Sequence, residues 1–176
     1  MIWFRHTDPR YPFLWESADQ PPARWHGAGE GPVHYLADTP GGAWAEFLRH
    51  EEIREVEDLA GIRRSLWAID VRDEGPVPGI AVSDAVARGG LDSYPACRAA
   101  ARAFRRRTRL RAFLAPSAAV AGGGAHGWRV DGGELAAEPR DALVLVAYGR
   151  RPDLVGWAAA HTGQPEPRLL TVVRPL

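Results

Sequence analysis

A run of β-branched and aromatic residues, Val33-His34-Tyr35-Leu36-Ala37, meets Asp38-Thr39-Pro40-Gly41-Gly42 and passes directly into Ala43-Trp44-Ala45-Glu46-Phe47-Leu48. The first run predicts a strand over 33–37 ending at a turn. Thr39 can cap the helix that follows, with Pro40 in the first turn, where a missing amide costs nothing. Ala43, Trp44, Phe47 and Leu48 then fall on one helical face. A strand must therefore hand over to a helix with almost no connecting chain. Glu46 is the residue that does not fit. A surface helix has no need of Trp44 beside an acid, and a core helix has no need of the acid.

The rest of the chain reads as short elements between many turns. Fifteen Pro and 19 Gly are spread over its 176 residues, which limits element length. Residues 2–5 predict a first strand, followed by a Pro-rich loop over 7–23 that carries Trp15. The acid–base run 49–58 continues or closes the Glu46 helix. A strand is predicted over 66–71, with 75–79 as its terminating loop, and a short helix near 83–88. Residues 95–107 predict a second good helix, with Pro95 at its start and an Arg-rich end suited to the negative pole of the helix dipole. Strands over 110–115 and 142–148 flank a loop containing Ala121–Gly127, and 168–174 predicts the last strand. No repeat or internal boundary is visible. The pattern predicts one domain over 1–176, of class α+β (mixed α/β), with short strands and interspersed helices.

Composition excludes several functions. Basic and acidic residues balance at 22 each, which argues against a nucleic-acid or membrane-surface binder. All the basic residues are Arg, and with no Lys a lysine Schiff base is excluded. One cysteine, Cys97, forms no disulfide framework and no cysteine-type zinc cluster. No apolar run approaches the roughly 20 residues of a membrane span. The N-terminus lacks a signal-peptide core, so a cytoplasmic protein is expected.

Few local motifs carry chemistry. Ala121–Gly127 lacks the ending and the context of a phosphate loop and reads as a flexible hairpin loop. The six His show no H-E-x-x-H spacing, so no metal is expected. Cys97 lies among alanines and reads as a small buried hydrophobe. No G-x-S-x-G elbow is present. Arg98, Arg102, Arg105 and Arg109 recur at helical spacing, as a solvated face or a phosphate-binding one. Glu46 is either a surface acid paired with His50 or Arg49, or a carboxylate at a cleft wall facing the Tyr35 strand. The second reading needs a cation, and Arg5 and Arg24 are the candidates.

Taken in order, Phe4-Arg5, Ala23-Arg24-Trp25, Tyr35-Leu36-Ala37 and Glu46, eleven residues after Tyr35, resemble the RES domain, the toxin of a bacterial toxin–antitoxin family. Ala115-Pro116-Ser117-Ala118 extends the likeness, which spans roughly residues 2–120. For the family serine, both Ser93, near the start of the helix at 95, and Ser117 are candidates.

The resemblance implies an ADP-ribosyltransferase-like fold and a toxin-like enzyme that binds NAD+ as substrate and cleaves its nicotinamide–ribose bond. Such an enzyme would be an NAD+ phosphorylase or glycohydrolase held in check by an antitoxin. A transferase of ADP-ribose to a protein and an inactive RES-like binding protein are the alternatives. Glu46 would stabilise the oxocarbenium-like state. Tyr35 would stack on nicotinamide, and Arg5 and Arg24 would hold the pyrophosphate. Ser93 or Ser117 would complete the phosphate or ribose contacts. Inorganic phosphate is a further expected partner, and seven Trp leave room for self-association or antitoxin binding.

Overall fold

The computed structural model describes residues 1–72, 76–125, 128–130, 134–136 and 138–176. The strand–turn–helix unit forms as its sequence dictates. Strand β2 (Val33–Ala37) leads to helix α1 (Pro40–His50), and the Thr39 hydroxyl accepts the Gly42 amide at 2.9 Å. Ala43, Trp44, Phe47 and Leu48 are all buried. The helix stops at His50, and Glu52 takes a left-handed φ of 54°. The charged run after it forms a separate short helix, α2 (Val56–Leu59), rather than continuing α1.

The remaining elements are β1 (Ile2–Thr7), β3 (Arg64–Asp70), α3 (Asp84–Arg88), α4 (Tyr94–Thr108), β4 (Ala112–Pro116), a short hairpin of β5 (Trp128–Val130) and β6 (Glu134–Ala136), β7 (Leu143–Tyr148) and β8 (Val155–Gly163). Six strands make one sheet in the order β4-β7-β2-β1-β3-β8, with every neighbouring pair antiparallel. Helices packed on an antiparallel sheet are the α+β arrangement that the pattern predicted.

Away from the exposed edge strand β8, the sheet is buried on both faces. On one, Cys97, Ala101 and Phe104 of α4 pack with Phe113, Val146 and Tyr148, while Trp44, Phe47 and Leu48 of α1 pack with Ala37 and Leu66. On the other, Trp3, Leu36, Ile69 and Leu145 are covered by Phe13 and Leu14 from the loop after β1.

Two readings fail at the C-terminal end. The strand expected over 168–174 is a 3-10 turn, Pro167–Thr171, followed by one bridge between Val173 and Val120. Pro167 opens that turn, and Leu169 and Leu170 pack against the α1 cluster instead of alternating. The longest strand, β8, went unseen because Gly156 and three successive alanines have low strand propensity. Pairing with β3 creates it. The hairpin of β5 and β6 was also unseen, and residues 126 and 127 of the glycine-rich loop lie outside the described residues. Among those residues, no helix is long and apolar enough to cross a membrane.

Candidate functional site

The sheet is open at one place. Strand β1 pairs with β3 along its whole length, from Ile2↔Asp70 to Thr7↔Ser65, and β2 pairs with β7 from Val33↔Tyr148 to Ala37↔Val144. Between β1 and β2 the register holds a single pair, Phe4↔Ala37. Beyond it the strands part, and a cleft of about 650 Å³ fills the gap. That volume suits a ligand of cofactor size. One wall is β1 from Phe4 to Thr7 with the loop that follows. The opposite wall is Ala23–Trp25 with Tyr35, and α1 contributes Glu46, Arg49 and His50.

Glu46 lies half-buried in this cleft while Trp44, two residues earlier, is in the core. It pairs with neither Arg49 nor His50. Its Oε1 accepts the Ser117 hydroxyl at 2.7 Å, and Ser117 Oγ in turn accepts the Ala119 amide at 3.1 Å. Burial pushes the Glu46 carboxyl above its ordinary pKa. The Ser117 hydroxyl and the charges of Arg49 and Arg24 oppose that shift.

Four arginines line the same cleft: Arg5, Arg24, Arg49 and Arg64. Two are already tied into the protein. Arg24 donates to Gly89 O at 2.8 Å and Ser93 Oγ at 3.0 Å, and its guanidinium lies 4.6 Å from the Tyr94 ring centre. Arg49 donates to Pro175 O at 3.0 Å and Gly89 O at 3.1 Å. The other two keep donors in reserve: Arg5 Nη1 and Arg64 Nε are buried without a hydrogen-bond partner. Buried polar groups are normally satisfied, so unused donors at a cleft wall suit an anion. His6 lies between these cations. Burial first, then Arg64, Arg5 and His50, push its pKa down to about 3, so it is neutral at physiological pH.

Tyr35 presents its ring to the cleft, and its hydroxyl is fully used. That oxygen accepts the Trp25 amide at 3.1 Å and lies 2.9 Å from His26 Nδ1. His26 Nε2 is 3.0 Å from Pro21 O, a pure acceptor, so Nε2 carries the proton and the Tyr35 hydroxyl donates to Nδ1. Tyr35 thus pins the Arg24–Trp25 segment against β2.

A family model for the RES domain matches residues 2–157. The chain belongs to the RES domain family. No curated protein matches the chain. In this RES domain the two candidate serines stand apart. Ser117 is buried against Glu46. Ser93 donates to Gly90 O at 2.7 Å and supports Arg24 from behind, outside the lining of the cleft.

The cleft thus brings together Arg5, Arg24, Tyr35 and Glu46, with Ser117 directly behind Glu46. Sequence reasoning did not single out Arg64, Tyr94 or the cleft role of Arg49. Arg49 carried a signal, since it follows Glu46 by three residues on the same helix. Arg64 carried none, because only the β1–β3 register brings it beside His6. Among the described residues no cluster of His, Cys, Asp and Glu could hold a metal ion.

Proposed function

We propose that this RES domain binds NAD+ in the cleft between β1 and β2 and cleaves its nicotinamide–ribose bond. The observation that carries the reading is the Glu46 carboxyl, held by Ser117 in a cleft that four arginines also line. A dinucleotide offers the matching charges. Its pyrophosphate is anionic, and its reacting ribose becomes cationic as the bond breaks.

In the reaction the C–N bond breaks heterolytically and its electron pair leaves with neutral nicotinamide. Positive charge then develops on the ribosyl carbon, and an acceptor oxygen attacks it. An ionised Glu46 stabilises that charge at close range in a partly dry site. Ser117 and the charges of Arg24 and Arg49 favour the ionised form against burial. Arg5 and Arg64 hold the pyrophosphate with their unused donors, Arg24 adds positive charge, and the Tyr35 ring stacks on nicotinamide. Inorganic phosphate is the acceptor we favour, because a cleft rich in arginine concentrates that anion. An antitoxin would hold the activity in check by covering the open cleft.

The test is NAD+ titrated into wild type and Glu46→Gln. The variant should bind NAD+ with similar affinity and leave it intact, while wild type consumes it. Loss of binding in the variant together with loss of turnover would move Glu46 from chemistry to binding.

A further inference from the structure

Two exposed aromatic rings on the loop after β1 line the cleft. Tyr11 is 43% exposed and Trp15 is 55% exposed. Their ring centroids are 4.8 Å apart at an interplanar angle of 60°, an edge-to-face pair. Burial of a large aromatic stabilises a fold. Two left in solvent at a cleft mouth call for a ligand-side account.

The segment that carries them is fixed, so their exposure is built in. Asp8 holds Arg10 through its side chain, at 3.0 Å to Nε and 2.9 Å to Nη2, and the Tyr11 amide donates to Asp8 O at 3.0 Å. Two residues on, Phe13 stacks at 5.4 Å on Trp67. It sits against Gly156, where an added Cβ would come within 2.7 Å of its ring. Leu14 packs into the core beside it. Immediately after Trp15, Glu16 accepts the Arg151 amide at 2.5 Å and reaches buried His34 at 3.4 Å. Trp15 thus stands between two anchored neighbours and points outward.

Its position along the cleft indicates the ligand. From the Phe4–Ala37 pair, β1 leads past Arg5, with its unused donor, to Asp8 and then to Tyr11 and Trp15. The rings line the same cleft as Glu46 and Arg5, so a molecule with its reacting ribose at Glu46 and its phosphates at Arg5 has them as a surface for its far end. Resting on the reading given under Proposed function, we propose that Tyr11 and Trp15 form a stacking subsite for a purine base, the adenine end of the dinucleotide. Aromatic rings suit such a base because stacking uses its flat face and needs no hydrogen-bond partners. The Arg10 guanidinium, 5.7 Å from the Tyr11 ring centre, adds positive charge at the same rim.

The test compares NAD+ with nicotinamide mononucleotide, which has the scissile bond and lacks adenine, in wild type, Trp15→Ala and Trp15→Phe. Trp15→Ala should raise KM for NAD+ roughly 5- to 100-fold, with kcat within about twofold and kcat/KM for the mononucleotide unchanged. Trp15→Phe should restore most of the loss. Equal losses on both substrates, or none on either, would overturn the subsite. AMP binding, read by isothermal titration calorimetry, separates this proposal from the catalytic one. AMP that binds wild type and not Trp15→Ala supports the subsite even if NAD+ is never cleaved. AMP that fails to bind wild type overturns it even if NAD+ is cleaved.

Discussion

Ser117 donates its hydroxyl to Glu46 Oε1 at 2.7 Å across 71 residues of sequence. One residue comes from the loop after β4 and the other from α1, so the bond ties the helix to the sheet at the base of the cleft. It also holds the carboxyl in one orientation.

Ser117→Ala removes that donor and leaves the Ala119 amide without its acceptor. We expect a stability loss of about 1–3 kcal/mol by thermal or urea unfolding. Because Ser117 favours the ionised carboxylate, its loss raises the Glu46 pKa further. The acidic limb of turnover against pH should therefore move to higher pH. A lower turnover with an unmoved limb would contradict the positioning role.

Glu46→Gln should make the protein more stable at neutral and alkaline pH. The folded-state pKa of Glu46 is raised above 4.5, chiefly by burial, so the native state binds this proton more tightly than the unfolded chain. Native stability is therefore favoured at low pH and is lost as pH rises through the folded value. Gln carries no charge to bury and can still accept the Ser117 hydroxyl. The melting temperature of the variant should exceed that of wild type at pH 8, and the gap should close near pH 4.

Much of the site was legible because its residues sit on well-signalled elements. Thr39, Pro40 and the Trp44/Phe47/Leu48 face determine where α1 starts and how it rolls, and that roll places Glu46. Tyr35 and Arg5 were legible for the same reason, as members of predictable strands. What stayed hidden depends on distant register. The opening between β1 and β2 exists because β1 pairs with β3 in full and with β2 at one residue pair, which no local periodicity encodes. Arg64 reaches the cleft through that same register. Strand β8 hid because alanines and glycines form a strand only where a neighbour supplies the ladder.

Tyr35→Phe separates ring from hydroxyl. It leaves the Trp25 amide and His26 Nδ1 without their partner, so stability should fall by about 1–3 kcal/mol. The ring remains, so KM for NAD+ should change less than in Tyr35→Ala. Calorimetry and steady-state kinetics on the two variants check both statements.

Phe113 is fully buried and meets Trp25, Phe104 and Tyr148 at centroid distances of 5.5, 5.3 and 6.2 Å. It joins α4, the sheet and the Arg24 segment. Phe113→Ala should cost about 3–5 kcal/mol through the cavity it leaves, measured by denaturant unfolding. Phe113→Leu should cost clearly less.

The central claim is tested most directly by nicotinamide release from NAD+, followed with purified wild type and Glu46→Gln, with and without inorganic phosphate. The account predicts release by wild type that phosphate accelerates, and at least a hundredfold slower release by the variant, about 2.7 kcal/mol of transition-state stabilisation. No release by wild type, or equal release by both proteins, would contradict it.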